Sequence, residues 1–155
     1  MQSRTPASSA VTNPSGIGIE LLASHSLGGH AIAVVDSDDD NRELYEAWLA
    51  WSGARPASYS GGMDALNGIG CDRPDAVIVS VRLRHEDGFA VCEALQHGPG
   101  TADIPLIALT TTLNDQERAI RSGMFSAVVM IPCTCEALMA LTTRALRPPH
   151  RRLAA

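Results

Sequence analysis

The chain's pattern predicts a doubly wound α/β domain, a sheet of five parallel strands each followed by a helix. Two observations carry this. Five short apolar runs recur through residues 31–131, and between them lie stretches with the three-and-four spacing of amphipathic helices, joined by short Gly-, Pro- and Asp-marked connections. The third run, Ala76 to Val79, is apolar throughout and bounded by Pro74 and a polar loop. A run that does not alternate is a strand covered on both faces, and strands so covered belong to parallel sheets. Right-handed crossovers then favour the strand order 2-1-3-4-5.

Ala31 to Val35 is the first strand. Asp36-Ser37-Asp38-Asp39-Asp40 opens the first helix, because carboxylates satisfy free amides and suit the positive end of a helix dipole. Leu44, Ala47, Trp48 and Trp51 form its apolar stripe, and Gly53 closes it. Ala54 to Tyr59 is a weak second strand, and Met63, Leu66 and Ile69 mark a short second helix among glycines. After the central strand, Phe89, Val91, Cys92 and Leu95 give a third helix that stops before Gly98-Pro99-Gly100. Ile104 to Thr110 is the fourth strand. Asn114 or Asp115 caps a fourth helix running through Ile120 to Gly123. Ala127 to Ile131 is the fifth strand, and Thr134 to Leu146 the last helix, with Leu138, Leu141 and Leu146 inward.

One domain is expected over residues 30–146, with tails at 1–29 and 147–155; the second is too short to fold as a further module. In the first tail Ile17, Ile19, Leu21 and Leu22 make one weak apolar cluster. Bulk properties narrow the function. A net charge of -5 argues against a nucleic-acid face, and all twelve basic residues are Arg, so the chain has no Lys. No run is long enough for a membrane span, and the N-terminus lacks the apolar core of a secretion signal, so a cytoplasmic location without membrane contact is expected. Cys71, Cys92, Cys133 and Cys135 are spaced too irregularly for a zinc site and read as reduced thiols.

The chemistry centres on Ser80. In open parallel sheets ligands sit beyond the carboxyl ends of the strands, and Ser80 ends the third. Val34-Val35-Asp36, Asn41-Arg42-Glu43-Leu44, Arg73-Pro74-Asp75, Asp87-Gly88-Phe89, Ile104 to Thr110 and Ile131-Pro132 stand in an order and spacing that resembles the receiver domain of bacterial response regulators, which has the flavodoxin-like fold of the chemotaxis response regulators. The resemblance covers residues 30–146.

That resemblance implies two carboxylates at the end of the first strand, an aspartate that accepts a phosphoryl group at the end of the third, and magnesium among them. It also implies a hydroxyl at the end of strand four and a lysine before the proline after strand five. Here Asp36 and Thr110 match. The second carboxylate position holds Ser37, the acceptor position Ser80 and the lysine position Ile131. Asp38 is open to a metal or to capping the helix. Ser80 is open to a plain strand-end role, to a serine kinase, or to acyl transfer with His85, although no glycine-flanked turn surrounds it.

The expected protein is therefore a degenerate receiver, not an enzyme, holding no cofactor or metal. It would signal by contact with a histidine kinase, regulator or effector, or with a second copy. The resemblance places docking on the face of helix four, strand five and helix five, where Arg118, Arg121, Val128, Met130, Cys135 and Met139 fall, with Met124, Phe125 and Cys133 beside them. The family's aromatic reporter on strand five corresponds to Val128. Two other readings stay open: a receiver phosphorylated at a non-standard residue, and a small-molecule binder using the same crevice.

Overall fold

A computed structural model describes residues 27–147. The remainder of the two expected tails, including the cluster at Ile17 to Leu22, lies outside the described residues.

The strands are β1 (Ala31–Val35), β2 (Arg55–Tyr59), β3 (Ala76–Ser80), β4 (Arg82–Leu83), β5 (Glu86–Asp87), β6 (Leu106–Thr110) and β7 (Ala127–Met130). Between and after them run α1 (Asp39–Trp51), α2 (Gly62–Asp72), α3 (Gly88–His97), α4 (Leu113–Ser122) and α5 (Cys135–Leu146). The five long strands form one parallel sheet in the order β2-β1-β3-β6-β7, which is the predicted order. β4 and β5 form a separate antiparallel pair where the sequence pattern predicts a polar loop. Its turn is made by Arg84 and His85, the latter at φ 65°.

Every residue of β3 and β6 is buried, as non-alternating strands inside a parallel sheet require. Their side chains part to two faces. Ile32, Val34, Ile78, Ile107 and Leu109 meet α1 and α5 through Tyr45, Leu49, Leu138 and Met139. Ala33, Val35, Val77 and Val79 meet α2 and α3 through Ile69, Val91, Cys92 and Leu95. A smaller cluster of Val81, Phe89, Ala108 and Ala119 seats α4. Each large aliphatic so enclosed contributes about 1.5–3 kcal/mol relative to exposure. Pro56 sits in β2, at the sheet edge where a missing N–H breaks no ladder.

The structure corrects four local expectations. In α1 the buried residues are Tyr45 and Leu49, whereas Leu44 and Trp51 are 45% and 51% exposed. The aromatic pair drew the predicted stripe about a third of a turn away from the face that packs. In α2, Met63 is exposed and Ala65 is fully buried four residues before Ile69, so the packed face runs through Ala65 and Ile69. α4 is capped by Thr112, whose hydroxyl accepts the Asp115 N–H at 3.1 Å. Gly123 ends that helix in the left-handed conformation, as expected. Finally, Leu27 is fully buried and its N–H donates to the Ser52 carbonyl, so the domain takes in residues expected to be tail.

Asp87-Gly88 fixes the start of α3. The Asp87 carboxylate accepts the Phe89 N–H at 3.0 Å. A Cβ on Gly88 would lie 2.3 Å from the Ser80 carbonyl oxygen, so this helix packs against the end of β3 only with glycine there.

Candidate functional site

The ends of β1, β3, β6 and β7 bring Asp36, Ser37, Ser80, Thr110 and Ile131 to one side of the sheet, as the sequence placed them. Each is occupied by its own surroundings. The Asp36 carboxylate accepts the Asp38 N–H at 2.9 Å and the Asn41 side-chain amide at 3.3 Å, while Arg42 donates to its backbone carbonyl at 2.7 Å. Burial pushes the pKa of Asp36 up, and the hydrogen bonds from Asp38 and Asn41 hold part of that rise back. Ser37 accepts the Arg84 N–H at 2.6 Å, tying the first turn to the β4–β5 hairpin. Asp38 caps α1 by accepting the Asn41 N–H at 3.0 Å; the capping reading is the one its geometry fits.

Ser80 Oγ donates to the Arg82 carbonyl at 3.0 Å, closing a turn of its own chain and making no bond to His85. A hydroxyl so engaged has no base to activate it. Thr110 is fully buried, and its hydroxyl donates to the Val129 carbonyl at 3.2 Å, along the sheet rather than outward. Ile131 continues the β6–β7 ladder through its N–H to the Thr110 carbonyl at 2.8 Å, and its side chain packs on the α1–α5 core.

Charge gathers at the rim instead. Arg82, two residues beyond the acceptor position, pairs with Asp115 of α4, and that guanidinium holds the Asp115 carboxyl below the usual carboxylate range. Arg118 donates to Asp87 at 3.0 Å and lies 3.9 Å above the Phe89 ring. Glu86 reaches the other way and accepts the Gly62 N–H at 2.7 Å, capping α2 where the chain has no side-chain cap of its own. These rim partners escaped the sequence reading. Asp115 had a sufficient local role as a helix cap, and no spacing rule connects it with Arg82, which is thirty-three residues away.

The residues present do not fit a magnesium ion. Asp36 contributes the one carboxylate among the five strand-end positions, and both its oxygens are held by donors of its own turn. Among the described residues no cluster of three His, Cys, Asp or Glu is placed to hold a metal. The expected docking face is also altered. Met139 is fully buried between α5 and the sheet, since it follows Leu138 on the inward side, and is withdrawn from that surface. Arg118 faces the rim rather than the patch. Met124 and Phe125 pack on core clusters, with Phe125 edge-on to Phe89 at 6.0 Å. Val128, Met130 and Cys135 stay half-buried, and Arg121 is exposed beside Glu117. All four cysteines are free, and burial pushes the Cys92 thiol up to about 12, which makes it an inert core group.

Comparison with known proteins agrees on the fold. The family model described as response regulator receiver domain matches residues 32–141. Transcriptional regulatory protein GltR of Pseudomonas aeruginosa is 33% identical over 95 residues, 61% of this chain and 39% of that protein. Response regulator MprA of Mycobacterium tuberculosis is 37% identical over 87 residues, 56% of this chain and 37% of that protein. The chain thus matches well under half the length of these curated relatives. Among solved structures, the receiver domain of a signal transduction histidine kinase from Syntrophus aciditrophicus superposes with a TM-score of 0.71 at 25% identity, covering 82% of this chain and 97% of that one. Chemotaxis response regulator CheY4 of Vibrio cholerae does so at 0.69 and 20% identity, over 76% and 98%, a likeness of fold alone.

Proposed function

Because the chain belongs to the response regulator receiver domain family of two-component signalling, we propose that it works there as a pseudo-receiver, without phosphorylation of an aspartate. The observation that carries this reading is Ser80: a hydroxyl stands where the family's acceptor carboxylate would, and it is spent on the Arg82 carbonyl at 3.0 Å. Its neighbours support the same reading. Ser37 brings no second charge, and Ile131, built into the core beside β7, brings no ammonium to a transferred phosphoryl group. The chain has no Lys to take that place.

Signalling then runs through surface contact. The partner is a histidine kinase, regulator or effector of the same pathway, docking on the face of α4, β7 and α5 through Arg121, Val128, Met130 and Cys135. A second copy of the chain is the other candidate for that face. The protein carries out no catalysis and resides in the cytoplasm; among the described residues no helix is long and apolar enough to cross a membrane.

Incubation with a small phosphodonor and magnesium, followed by weighing of the intact protein, tests the proposal. No phosphate adduct is expected. An adduct that forms at a rate ordinary for receivers would establish phosphorylation at a non-standard residue instead.

A further inference from the structure

The stripe Leu44, Trp48 and Trp51 has helical spacing and apolar character, yet the fold leaves Leu44 and Trp51 exposed and Trp48 only half-buried against the α1–α5 core. Leu44 and Trp48 line a pocket of about 300 Å³ that Ile131, Pro132 and Cys133, in the connection from β7 to α5, also line. A partly uncovered apolar stripe is the exception on a domain of this size, and this one holds both of the chain's tryptophans.

We propose that the chain's own N-terminal segment, residues 17–22, docks on this stripe. The tether argues for it first. Leu27 is fixed against the end of α1 by its N–H to the Ser52 carbonyl at 3.1 Å, one residue beyond Trp51. From Trp51 back to Leu44 the helix rises about 10 Å. Leu22 lies five residues before the anchor, a reach of about 16 Å, and Ile17 lies ten before it, a reach of about 33 Å. The segment is therefore long enough to span the stripe and the pocket, and a short tether holds it at a high effective concentration.

Pattern and charge argue next. Ile17, Ile19 and Leu21 alternate with Gly16, Gly18 and Glu20, a period of two that suits an extended chain laid with its apolar residues against a surface. Residues 17–22 carry a single charge, that of Glu20, so they bring little negative charge to the exposed Asp40 and Glu43 beside the stripe. A second copy would bring that acidic rim against its own kind.

Because the only tryptophans are on the stripe, fluorescence reads this face directly. The full chain is compared with the full-length variants Ile17→Asp/Ile19→Asp and Leu21→Asp/Leu22→Asp, circular dichroism verifying that the domain remains folded. The expected result is a red-shifted emission and a roughly twofold larger acrylamide quenching constant in the variants, because quenching follows the ring area open to solvent. The effect should not depend on protein concentration. Identical emission and quenching in all three proteins would overturn the proposal. So would protection that disappears on dilution of the unmodified chain, which would make a second copy the occupant. The outcome is independent of whether the domain accepts a phosphoryl group.

Discussion

The floor of the crevice and its rim are built from the same polar chemistry and differ in where it is directed. At the floor, Asp36, Ser80 and Thr110 satisfy backbone or side-chain groups of their own or the adjacent strand end. At the rim, Arg82–Asp115 and Arg118–Asp87 join the segment that begins with β4 to α4, and Glu86 joins it to α2. The floor's polar groups are thus engaged within it, while the rim carries ion pairs that join its elements. The architecture of the sheet does not depend on which side chains end its strands, so the floor and the rim can vary independently.

The largest expected effect comes from reopening the floor. The triple variant Ser37→Asp/Ser80→Asp/Ile131→Lys should take up phosphate from a small phosphodonor and magnesium roughly a hundredfold or more faster than Ser80→Asp alone, because metal and cation each stabilise the moving charge. Intact mass over time measures it. If the single variant matched the triple, the losses at Ser37 and Ile131 would be irrelevant and the contrast between floor and rim would fail.

A smaller effect tests the rim. Arg118→Ala removes an ion pair and a cation over Phe89 together, and should lower stability by about 1 kcal/mol in urea unfolding. An unchanged midpoint would mean that the pairs decorate the rim without holding it. The smallest effect is one of pH. The carboxyl of Asp115 titrates below its ordinary 3.8 in the folded state, so its pairing stabilises the fold above that value and the stabilisation is lost as pH falls through the lowered one. Asp115→Asn should therefore be less stable than the parent at neutral pH, and the two unfolding curves should converge in acid. Curves that stay parallel from neutral pH to acid would remove Asp115 from the account.

Much of the floor was readable from the chain because its positions are set by strand ends, and a strand end is marked by where an apolar run stops. Val35-Asp36, Val79-Ser80 and Leu109-Thr110 are such stops, and all three strands end there. The rim was not readable in this way. Arg82, Asp87, Asp115 and Arg118 are single charges whose partners lie thirty-one or thirty-three residues off, and charge carries no periodicity from which distance could be inferred. The orientation of α1 failed for a related reason: Trp48 and Trp51 weigh heavily in any hydrophobic stripe, but the narrow gap over β1 is filled by Tyr45 and Leu49.

Taken by itself, the sequence determined the alternation of strands and helices, the order of the sheet, the absence of lysine and the serine at the end of the third run, because these follow from short-range pattern and from composition. The tertiary structure alone decided which face of α1 is buried, that Met139 is core, and that the charges of the rim are paired. Those are matters of which surfaces meet, and close packing settles them only when all the elements are in place.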